Sequence, residues 1–194
     1  MTATQAKWDE KYADAALSTP AEPAWVLQAH TRLLPLKGRA LDLAAGLGGN
    51  ARYLARCGLQ VDAWDISTAA VDLLNRWAST YKLPIHAKQV DLAHFPWPEA
   101  HYDVVVVSRY LDRHAFDAIK ALVKPNGRLF YQTFLAPVQP NGPRNPDFYV
   151  HSGELVQHLL PWRIDVHGEG WLPDNDGEKR RYAWAVAQNR KAER

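Results

Sequence analysis

Hydrophobic residues follow two patterns, and segments with the first pattern alternate along the chain with segments with the second. Short apolar runs cover residues 40–44 and 102–108, and a third run over 59–65 alternates apolar with polar residues. Between these runs, apolar residues recur at spacings of three and four, as they do over 67–81. The first pattern predicts strands and the second predicts helices. The chain is therefore predicted to alternate between strand and helix.

The two patterns together define a set of predicted elements. The predicted helices cover residues 5–16, 23–34, 50–57, 67–81, 110–123 and 152–160. The predicted strands cover residues 40–44, 59–65, 85–90, 102–108, 128–134, 163–168 and 180–188. A stretch rich in Pro, Asp, Asn and Gly separates the last two strands and is too short for a crossover helix. We therefore expect these two strands to pair as an antiparallel hairpin.

Strands that are each followed by a helix predict an α/β fold. We expect a Rossmann-like, doubly wound sheet, mostly parallel with a C-terminal antiparallel hairpin. The expected organisation is a single domain over 1–194, with N-terminal helices over 1–37, an α/β core over 38–188 and a tail over 189–194. The N-terminal helices and the Pro- and Gly-containing loop at 136–150 are candidate lids over a site.

Composition narrows the class of protein. The 194 residues are 47% hydrophobic and 23% charged, as in ordinary globular domains, and the net charge of +2 is not the footprint of a nucleic-acid binder. The single cysteine excludes an intrachain disulfide. No apolar run reaches membrane-spanning length and no signal peptide is visible, so we expect a cytoplasmic protein. The eight histidines have no metal-ligand spacing, so we expect no metal.

Three acids fall at the predicted carboxyl ends of strands, where a doubly wound sheet places its ligands. Asp42 precedes a glycine-rich turn at 46–49, Asp65 lies about 20 residues further on, and Asp91 ends the third strand. Glycines allow a ligand to approach the backbone closely, and an acid at this spacing can accept hydrogen bonds from ribose hydroxyls. These features are shared by sites for dinucleotides and for adenosyl cofactors.

Asp42 discriminates between these two cofactor classes. Gly46-x-Gly48-x-x-Ala51 satisfies the dinucleotide pattern, which keeps an NAD(P)-dependent oxidoreductase open as an alternative. A carboxylate just ahead of the first glycine would repel a pyrophosphate, whereas it would attract an ammonium or a sulfonium. The sequence therefore favours a cationic ligand at this turn.

Several segments resemble motifs of class I S-adenosylmethionine-dependent methyltransferases. They are Ala40-Leu-Asp-Leu-Ala-Ala-Gly-Leu-Gly-Gly-Asn, Val61-Asp-Ala-Trp-Asp-Ile-Ser, Val90-Asp-Leu, Tyr102-Asp-Val-Val and Leu122-Val-Lys-Pro-Asn-Gly. Within that family the chain is similar to the bacterial tellurite-resistance methyltransferases. That likeness depends on Trp8-Asp-x-x-Tyr, Arg109-Tyr-Leu-Asp-Arg and Arg144-Asn-Pro followed by Gly153-Glu-Leu. Ala45 and Asn126 depart from the family by replacing a cysteine and a glycine.

The resemblance implies that S-adenosylmethionine is the cofactor and S-adenosylhomocysteine its product. The residues implied to bind the cofactor are Asp42, Ala44, Gly46 and Gly48 at the methionine end, Asp65 at the ribose, Ile66, Asp91 and Leu92 at the adenine, and Ser108 near the methyl group. Arg109 follows Ser108 and is the candidate catalytic residue. Because a thioether leaves without a proton, no catalytic triad is required.

The acceptor side is predicted from charge. Arg109, Arg113, Arg144 and Tyr149 lie in segments expected at the carboxyl ends of strands, where they could hold a small anionic acceptor, because guanidinium presents a planar donor fork. The resemblance points to an oxyanion or a soft chalcogen nucleophile. We expect a small-molecule substrate, with neither nucleic acid nor membrane as partner and the oligomeric state left open. A non-catalytic protein that binds an adenosyl cofactor is a further alternative.

Overall fold

A computed structural model describes residues 2–99, 101–174 and 176–190. The chain divides into two compact units, each with its own strands and helices. The first unit comprises Met1–Pro23 and Pro35–Pro96, and the second comprises Ala24–Leu34 and Trp97–Arg194. Most of the predicted C-terminal tail, residues 191–194, lies outside the described residues.

The first unit contains three parallel strands. They are β1 (Arg39–Leu43), β2 (Gln60–Asp65) and β3 (Ile85–Gln89), in the order β3-β2-β1. Arg39 pairs with Gln60, and Val61 pairs with Ile85. The interior of β1 is fully buried, as is typical of strands in a parallel sheet that is covered on both faces.

Three helices belong to the first unit: α1 (Ala3–Tyr12), α3 (Gly49–Arg56) and α4 (Thr68–Tyr81). The hydroxyl of Ser67 caps α4 by accepting a hydrogen bond from the Ala70 amide. The apolar face of α4 is buried, which confirms the helical periodicity of 67–81. In contrast, α1 has no fully buried residue, so polar contacts and a few aromatic contacts hold it.

The second unit is built on a longer set of strands. They are β4 (Tyr102–Ser108), β5 (Val123–Leu135), β6 (Tyr149–Val150), β7 (Arg163–Pro173) and β8 (Lys179–Gln188). Strands β4 and β5 are parallel, β5 and β8 are antiparallel, and β7 pairs antiparallel with β8. The α/β class, mostly parallel with a C-terminal antiparallel hairpin, is confirmed.

The helices of the second unit are short. They are α2 (Trp25–Ala29), α5 (Phe116–Ala121) and α6 (Glu154–Leu159), together with single 3-10 turns. Gln132, inside β5, accepts a hydrogen bond from the Val26 amide at 2.9 Å and so satisfies an unpaired donor at the start of α2. Among the residues that the structure describes, no helix is long and apolar enough to cross a membrane.

The predicted helix over 110–123 is wrong at both ends. Asp112 is extended, with φ −136°, and its side chain accepts a hydrogen bond from the His114 amide, so a 3-10 turn begins there and α5 begins at Phe116. At the other end, β5 begins at Val123. The Pro-Asn-Gly turn at 125–127 lies inside this strand because Asn126 and Gly127 exchange backbone hydrogen bonds with Asn189.

The predicted strand over 163–168 is too short, because β7 continues to Pro173. Gly168 closes the predicted strand, and Gly170 falls in the stretch rich in Pro, Asp, Asn and Gly that was predicted to separate the two strands. In the structure both lie within β7, and the ring of Trp184 on β8 fills the space beside Gly168, where a Cβ would lie 2.5 Å from a ring carbon. The connection between the two strands is therefore shorter than the sequence predicts, and the Asp174 amide donates a hydrogen bond to the Glu178 carbonyl at 2.7 Å.

Candidate functional site

The turn between β1 and α3 follows an unusual backbone path. Ala44 has φ +56°, Gly46 φ +53° and Gly48 φ +77°, so three residues of one turn are left-handed. A Cβ on Gly48 would lie 2.5 Å from the Leu74 side chain, and one on Gly46 would lie 2.7 Å from the Tyr12 hydroxyl. Both positions therefore require glycine. The left-handed Ala44 is a costly conformation of the kind that clusters at functional sites.

Asp65 ties the end of β2 to this turn. Its Oδ2 accepts a hydrogen bond from the Gly46 amide at 2.6 Å, and its Oδ1 accepts one from the Ser67 amide at 2.9 Å. The residue is only 8% exposed, and burial raises the pKa of its carboxyl. A carboxylate has about four acceptor positions, so both oxygens retain capacity for ligand hydroxyls.

Asp42 is fully buried beneath the same turn. Its oxygens accept hydrogen bonds from the Asn50 side-chain amide at 3.1 Å and the Ala51 backbone amide at 2.9 Å. These bonds stabilise the ionised form, but burial outweighs them and raises the pKa of Asp42 to about 7. Asp42 thus occupies an N-terminal donor of α3, the kind of group that would otherwise receive a phosphate.

The chemistry of this turn follows from its two carboxyls. Asp42 and Asp65 are both buried, and the charge of Asp65 contributes to the raised pKa of Asp42. Two acids in a low-dielectric site attract a cation and repel a pyrophosphate. The arrangement fits a ligand that carries an ammonium or a sulfonium together with ribose hydroxyls.

The remaining residues expected around an adenine lie beyond Asp65. The Val90 amide donates to the Asp65 carbonyl at 2.8 Å, which joins the end of β3 to the end of β2. Ile66 and Leu92 are both half-buried. The Asp91 carboxylate accepts a hydrogen bond from the Ala93 amide and contacts His94 Nδ1 at 3.0 Å. The structure therefore brings these residues to the end of β2 that holds Asp65.

Helix α1 lies against the same part of the first unit. The Asp9 carboxylate accepts hydrogen bonds from the Ser67 hydroxyl at 2.7 Å and from the Ala69 amide at 3.1 Å. Tyr12 stacks on Trp8 with ring centroids 5.9 Å apart, and its hydroxyl stands over Gly46. The charge of Lys11 also acts on Asp65. The sequence predicted the N-terminal helices as a candidate lid and used Trp8, Asp9 and Tyr12 as marks of a resemblance, but it did not place Tyr12 at the glycine turn.

Ser108 and Arg109 lie in the second unit, at the end of β4. Ser108 is half-buried. Arg109 is left-handed, with φ +56°, and its amide donates to the Gln132 carbonyl at 2.9 Å. Its guanidinium donates to the Tyr182 hydroxyl at 3.3 Å and pairs with Asp174. The first residue after β4 is therefore as strained as Ala44, the first residue after β1.

Arg113 and Tyr149 make many contacts within the protein. Arg113 pairs with both carboxylate oxygens of Glu154 and donates to the carbonyls of Asp147 and Tyr149. The Tyr149 hydroxyl donates to the Pro143 carbonyl at 2.8 Å. These contacts order the segment between β5 and α6. Arg144, in the same segment, is exposed.

Two residues of this neighbourhood were missed by sequence reasoning. Asp174 lies in a hairpin turn rich in acids, and Tyr182 lies on a strand that was predicted only as one member of the antiparallel hairpin. Nothing in the sequence links either residue to Arg109. Among the residues that the structure describes, no group of three or more His, Cys, Asp or Glu side chains could hold a metal ion.

Part of the chain matches a known family model, and a longer part matches a known relative. Residues 40–127 match the family model described as a methyltransferase domain. The chain is 30% identical over 144 residues to demethylmenaquinone methyltransferase of Clavibacter sepedonicus, and the aligned part is 70% of this chain and 58% of that relative. The chain thus spans less than two thirds of the relative that it matches.

The chain is also similar in fold to solved structures of other proteins. TehB from Haemophilus influenzae aligns with a TM-score of 0.74 at 22% identity, covering 96% of this chain and 67% of TehB. Geranyl diphosphate C-methyltransferase from Streptomyces coelicolor, solved with S-adenosylhomocysteine, aligns with a TM-score of 0.69 at 14% identity, covering 97% and 99%. These likenesses show the fold. Residues 40–127 are thus similar to a methyltransferase domain, and the Clavibacter relative is itself a methyltransferase.

Proposed function

We propose that the protein transfers a methyl group from S-adenosylmethionine to a small-molecule acceptor. Asp42 and Asp65 at the glycine turn would hold the cofactor, which would supply a methyl group on a positively charged sulfur, and S-adenosylhomocysteine would be the product that takes the carbon–sulfur electron pair. The protein's task is to bind and orient the two partners and to exclude water. The leaving thioether is neutral and needs no proton from a general acid.

The observation that carries this proposal is the pair of buried carboxyls at the glycine turn. Asp42 and Asp65 are 0% and 8% exposed, and their hydrogen bonds come from the Gly46, Ala51 and Ser67 amides and the Asn50 side chain. A cation beside them would restore the ionised form of Asp42. We assign Asp42 and the backbone of 44–48 to the methionine end of the cofactor. We assign Asp65 to the ribose and Ile66, Asp91 and Leu92 to the adenine.

For the acceptor we propose a small oxyanion or a soft chalcogen nucleophile, held by Arg109. Ser108, at the end of the same strand, would border the methyl group. Arg144 is exposed and could contact the acceptor directly. Arg113 and Tyr149 would act by ordering the segment that carries Arg144, because their polar groups are bonded within that segment. The resemblance to tellurite-resistance methyltransferases supports this acceptor class and remains part of the proposal.

Helix α1 is the part of the chain that we assign as the cover of the cofactor. Asp9 fastens it to the start of α4, and Tyr12 lies directly over Gly46. With no fully buried residue, α1 can be released at small cost in apolar burial. It would close over the adenosyl cofactor and exclude water.

The cofactor is tested by calorimetric titration with S-adenosylmethionine, S-adenosylhomocysteine and NADH in parallel. Micromolar binding of both adenosyl ligands, with no heat from NADH, is the expected result. Binding of NADH alone would replace this proposal by a nicotinamide-dependent oxidoreductase. Binding of the adenosyl ligands without any turnover on the acceptors below would favour a non-catalytic binding protein.

The acceptor is tested by release of S-adenosylhomocysteine in the presence of tellurite, selenite or a small thiol. Turnover on selenite or tellurite with none on the thiol would support an oxyanion acceptor. Turnover on the thiol alone would favour the soft chalcogen nucleophile. A methyl acceptor found only among bulky apolar molecules would contradict both.

A further inference from the structure

The turn of the β7–β8 hairpin holds one edge of Arg109. Asp174 accepts hydrogen bonds from three side chains: Arg109, Arg180 Nη1 at 2.7 Å and the Tyr182 hydroxyl at 2.7 Å. The Tyr182 oxygen in turn accepts a hydrogen bond from Arg109 Nε at 3.3 Å. The Nε and Nη2 side of the guanidinium is therefore bound to the hairpin.

Asp174 is itself firmly anchored. Its side chain is 10% exposed, as is that of Arg180, and Tyr182 is fully buried. Arg180 also pairs with Asp176 and donates to the Asn141 carbonyl at 2.7 Å, so it does not depend on Asp174 alone. Burial raises the pKa of Tyr182, so its hydroxyl keeps the proton that it donates to Asp174. Asp174 is thus a fixed point to which Arg109 is attached.

The backbone of Arg109 needs such an attachment. Its φ of +56° is unfavourable for a residue with a side chain, and strained residues persist only where the surroundings hold them. The amide bond to Gln132 fixes the backbone, and the pair with Asp174 fixes the far end of the side chain. The contacts at Gln132 and Asp174 together restrict the orientation of the guanidinium.

We propose that Asp174 is a positioning residue that holds Arg109 in the orientation that binds the methyl acceptor, with Tyr182 as its support. The hairpin thereby becomes part of the acceptor side, although Asp174 itself does not touch the acceptor. This inference rests on the proposed role of Arg109. It assigns a function to a turn that lies 65 residues further along the chain.

The test compares Asp174→Asn with Asp174→Glu and with Asp176→Asn, a matched control that removes a carboxylate of the same turn that pairs with Arg180. In turnover on selenite, Asp174→Asn should lower kcat at least tenfold, Asp174→Glu should recover part of it, and Asp176→Asn should stay within twofold. The affinity for S-adenosylhomocysteine should stay within twofold in all three. A loss in the Asp174→Asn, Arg109→Gln double variant no larger than in Arg109→Gln alone would place both residues in one unit.

A second readout does not depend on the acceptor. Nitrogen-15 NMR of arginine side chains, with Arg109 assigned through Arg109→Lys, should show hydrogen exchange at Nη2, which donates to Asp174, accelerated at least tenfold by Asp174→Asn and unchanged by Asp176→Asn. If Asp174→Asn does not fold, Tyr182→Phe removes a single hydroxyl and should accelerate the same exchange.

Several results would overturn the inference. Unchanged exchange at Arg109 Nη2, or wild-type kcat, in Asp174→Asn would each do so. Absence of S-adenosylhomocysteine binding, or of selenite turnover, in the unmodified protein would instead contradict the proposed function or its acceptor. The exchange measurement would still decide whether Asp174 positions Arg109.

Discussion

The two units of this protein build their polar sites in different ways. In the first, Asp42 and Asp65 are bound mostly by backbone amides that lie within one turn or one helix start. In the second, Arg109 is held by the side chains of Asp174 and Tyr182, which come from distant parts of the sequence. Nearly every residue type supplies a backbone amide donor, whereas a side-chain partner requires a particular residue type at its position.

This difference separates binding from turnover. Changes in the first unit should act on cofactor affinity, because its acids face the glycine turn. Changes in the second unit should act on the methyl acceptor and leave the cofactor bound. The five predictions below test this division, beginning with the largest effect.

Arg109→Ala should lower turnover on selenite by roughly 100-fold, the usual loss when one charged donor is removed from a reacting centre. Affinity for S-adenosylhomocysteine should remain within twofold. Initial rates and calorimetry measure the two quantities separately. Arg163→Ala is the control, because Arg163 is a half-exposed arginine paired with Asp165 in the same unit. Full activity in Arg109→Ala would remove this residue from the acceptor side.

Asp65→Ala should weaken S-adenosylhomocysteine binding by about 1–3 kcal/mol, the cost of leaving hydrogen-bonding groups unpaired. The change removes the proposed ribose acceptor and also frees the Gly46 amide. The matched control is Asp62→Ala on the same strand, where the carboxylate pairs with Arg39 instead. An unchanged dissociation constant in Asp65→Ala would exclude the residue from the cofactor site.

Asp42 should make cofactor binding depend on pH. Burial raises its pKa to about 7, so below pH 7 the ligand-free protein holds a proton that a cationic ligand must displace. The dissociation constant of S-adenosylmethionine should fall by up to about tenfold per pH unit as pH rises from 5.5 toward 7, and then level off. Titrations across this range should lose that dependence in Asp42→Asn.

The stability of the ligand-free protein should change in the opposite direction. The pKa of Asp42 is raised from 3.8 on folding, so the folded chain binds the proton more tightly than the unfolded chain. This contribution to stability is fully present below pH 3.8 and is lost as pH rises toward 7. Thermal unfolding of the ligand-free protein, with Asp42→Asn as reference, should reveal the loss. If the stability of the ligand-free protein and its affinity for S-adenosylmethionine both rose with pH, the assignment of these effects to Asp42 would be contradicted.

Asp9→Asn should have the smallest effect, a several-fold faster dissociation of S-adenosylhomocysteine. The change weakens the acceptor for the Ser67 hydroxyl and the Ala69 amide, and these bonds hold α1 on α4. Stopped-flow displacement measures the rate, and Glu10→Gln on the exposed side of the same helix serves as control. Identical dissociation rates in the two variants would show that α1 does not retain the cofactor.

Sequence reasoning worked best where local chemistry determines structure. The glycine turn, the acids at the ends of β1 and β2 and the Ser67 cap all depend on neighbours within a few residues or on a regular strand–helix repeat. The helix predicted over 110–123 was wrong because Asp112 satisfied the His114 amide and started a new turn. Local sequence rules allow either a helix that begins at 110 or a turn that begins after Asp112, and only the surrounding structure selects between them.

The contacts of Arg109 and Tyr12 illustrate what remained unpredictable. Arg109 meets Asp174 only because β5 and β8 pair in a particular register and Asp174 directly follows β7. Tyr12 meets Gly46 because α1 docks on the start of α4, where Asp9 and Gln5 both form hydrogen bonds. Such long-range contacts depend on the register of paired strands and on how a helix docks. The periodicity of apolar residues specifies neither.

The left-handed backbone at Ala44 and Arg109 has a practical consequence for engineering. A library that randomises these positions should be enriched in glycine and asparagine and depleted in valine, isoleucine and threonine, whatever activity is selected. Arg109 is thus a poor place to search for altered acceptor scope, because most replacements would be discarded for their backbone conformation before their chemistry is sampled. Exposed Arg144 carries no such filter, and diversity introduced there would be tested for its chemistry alone.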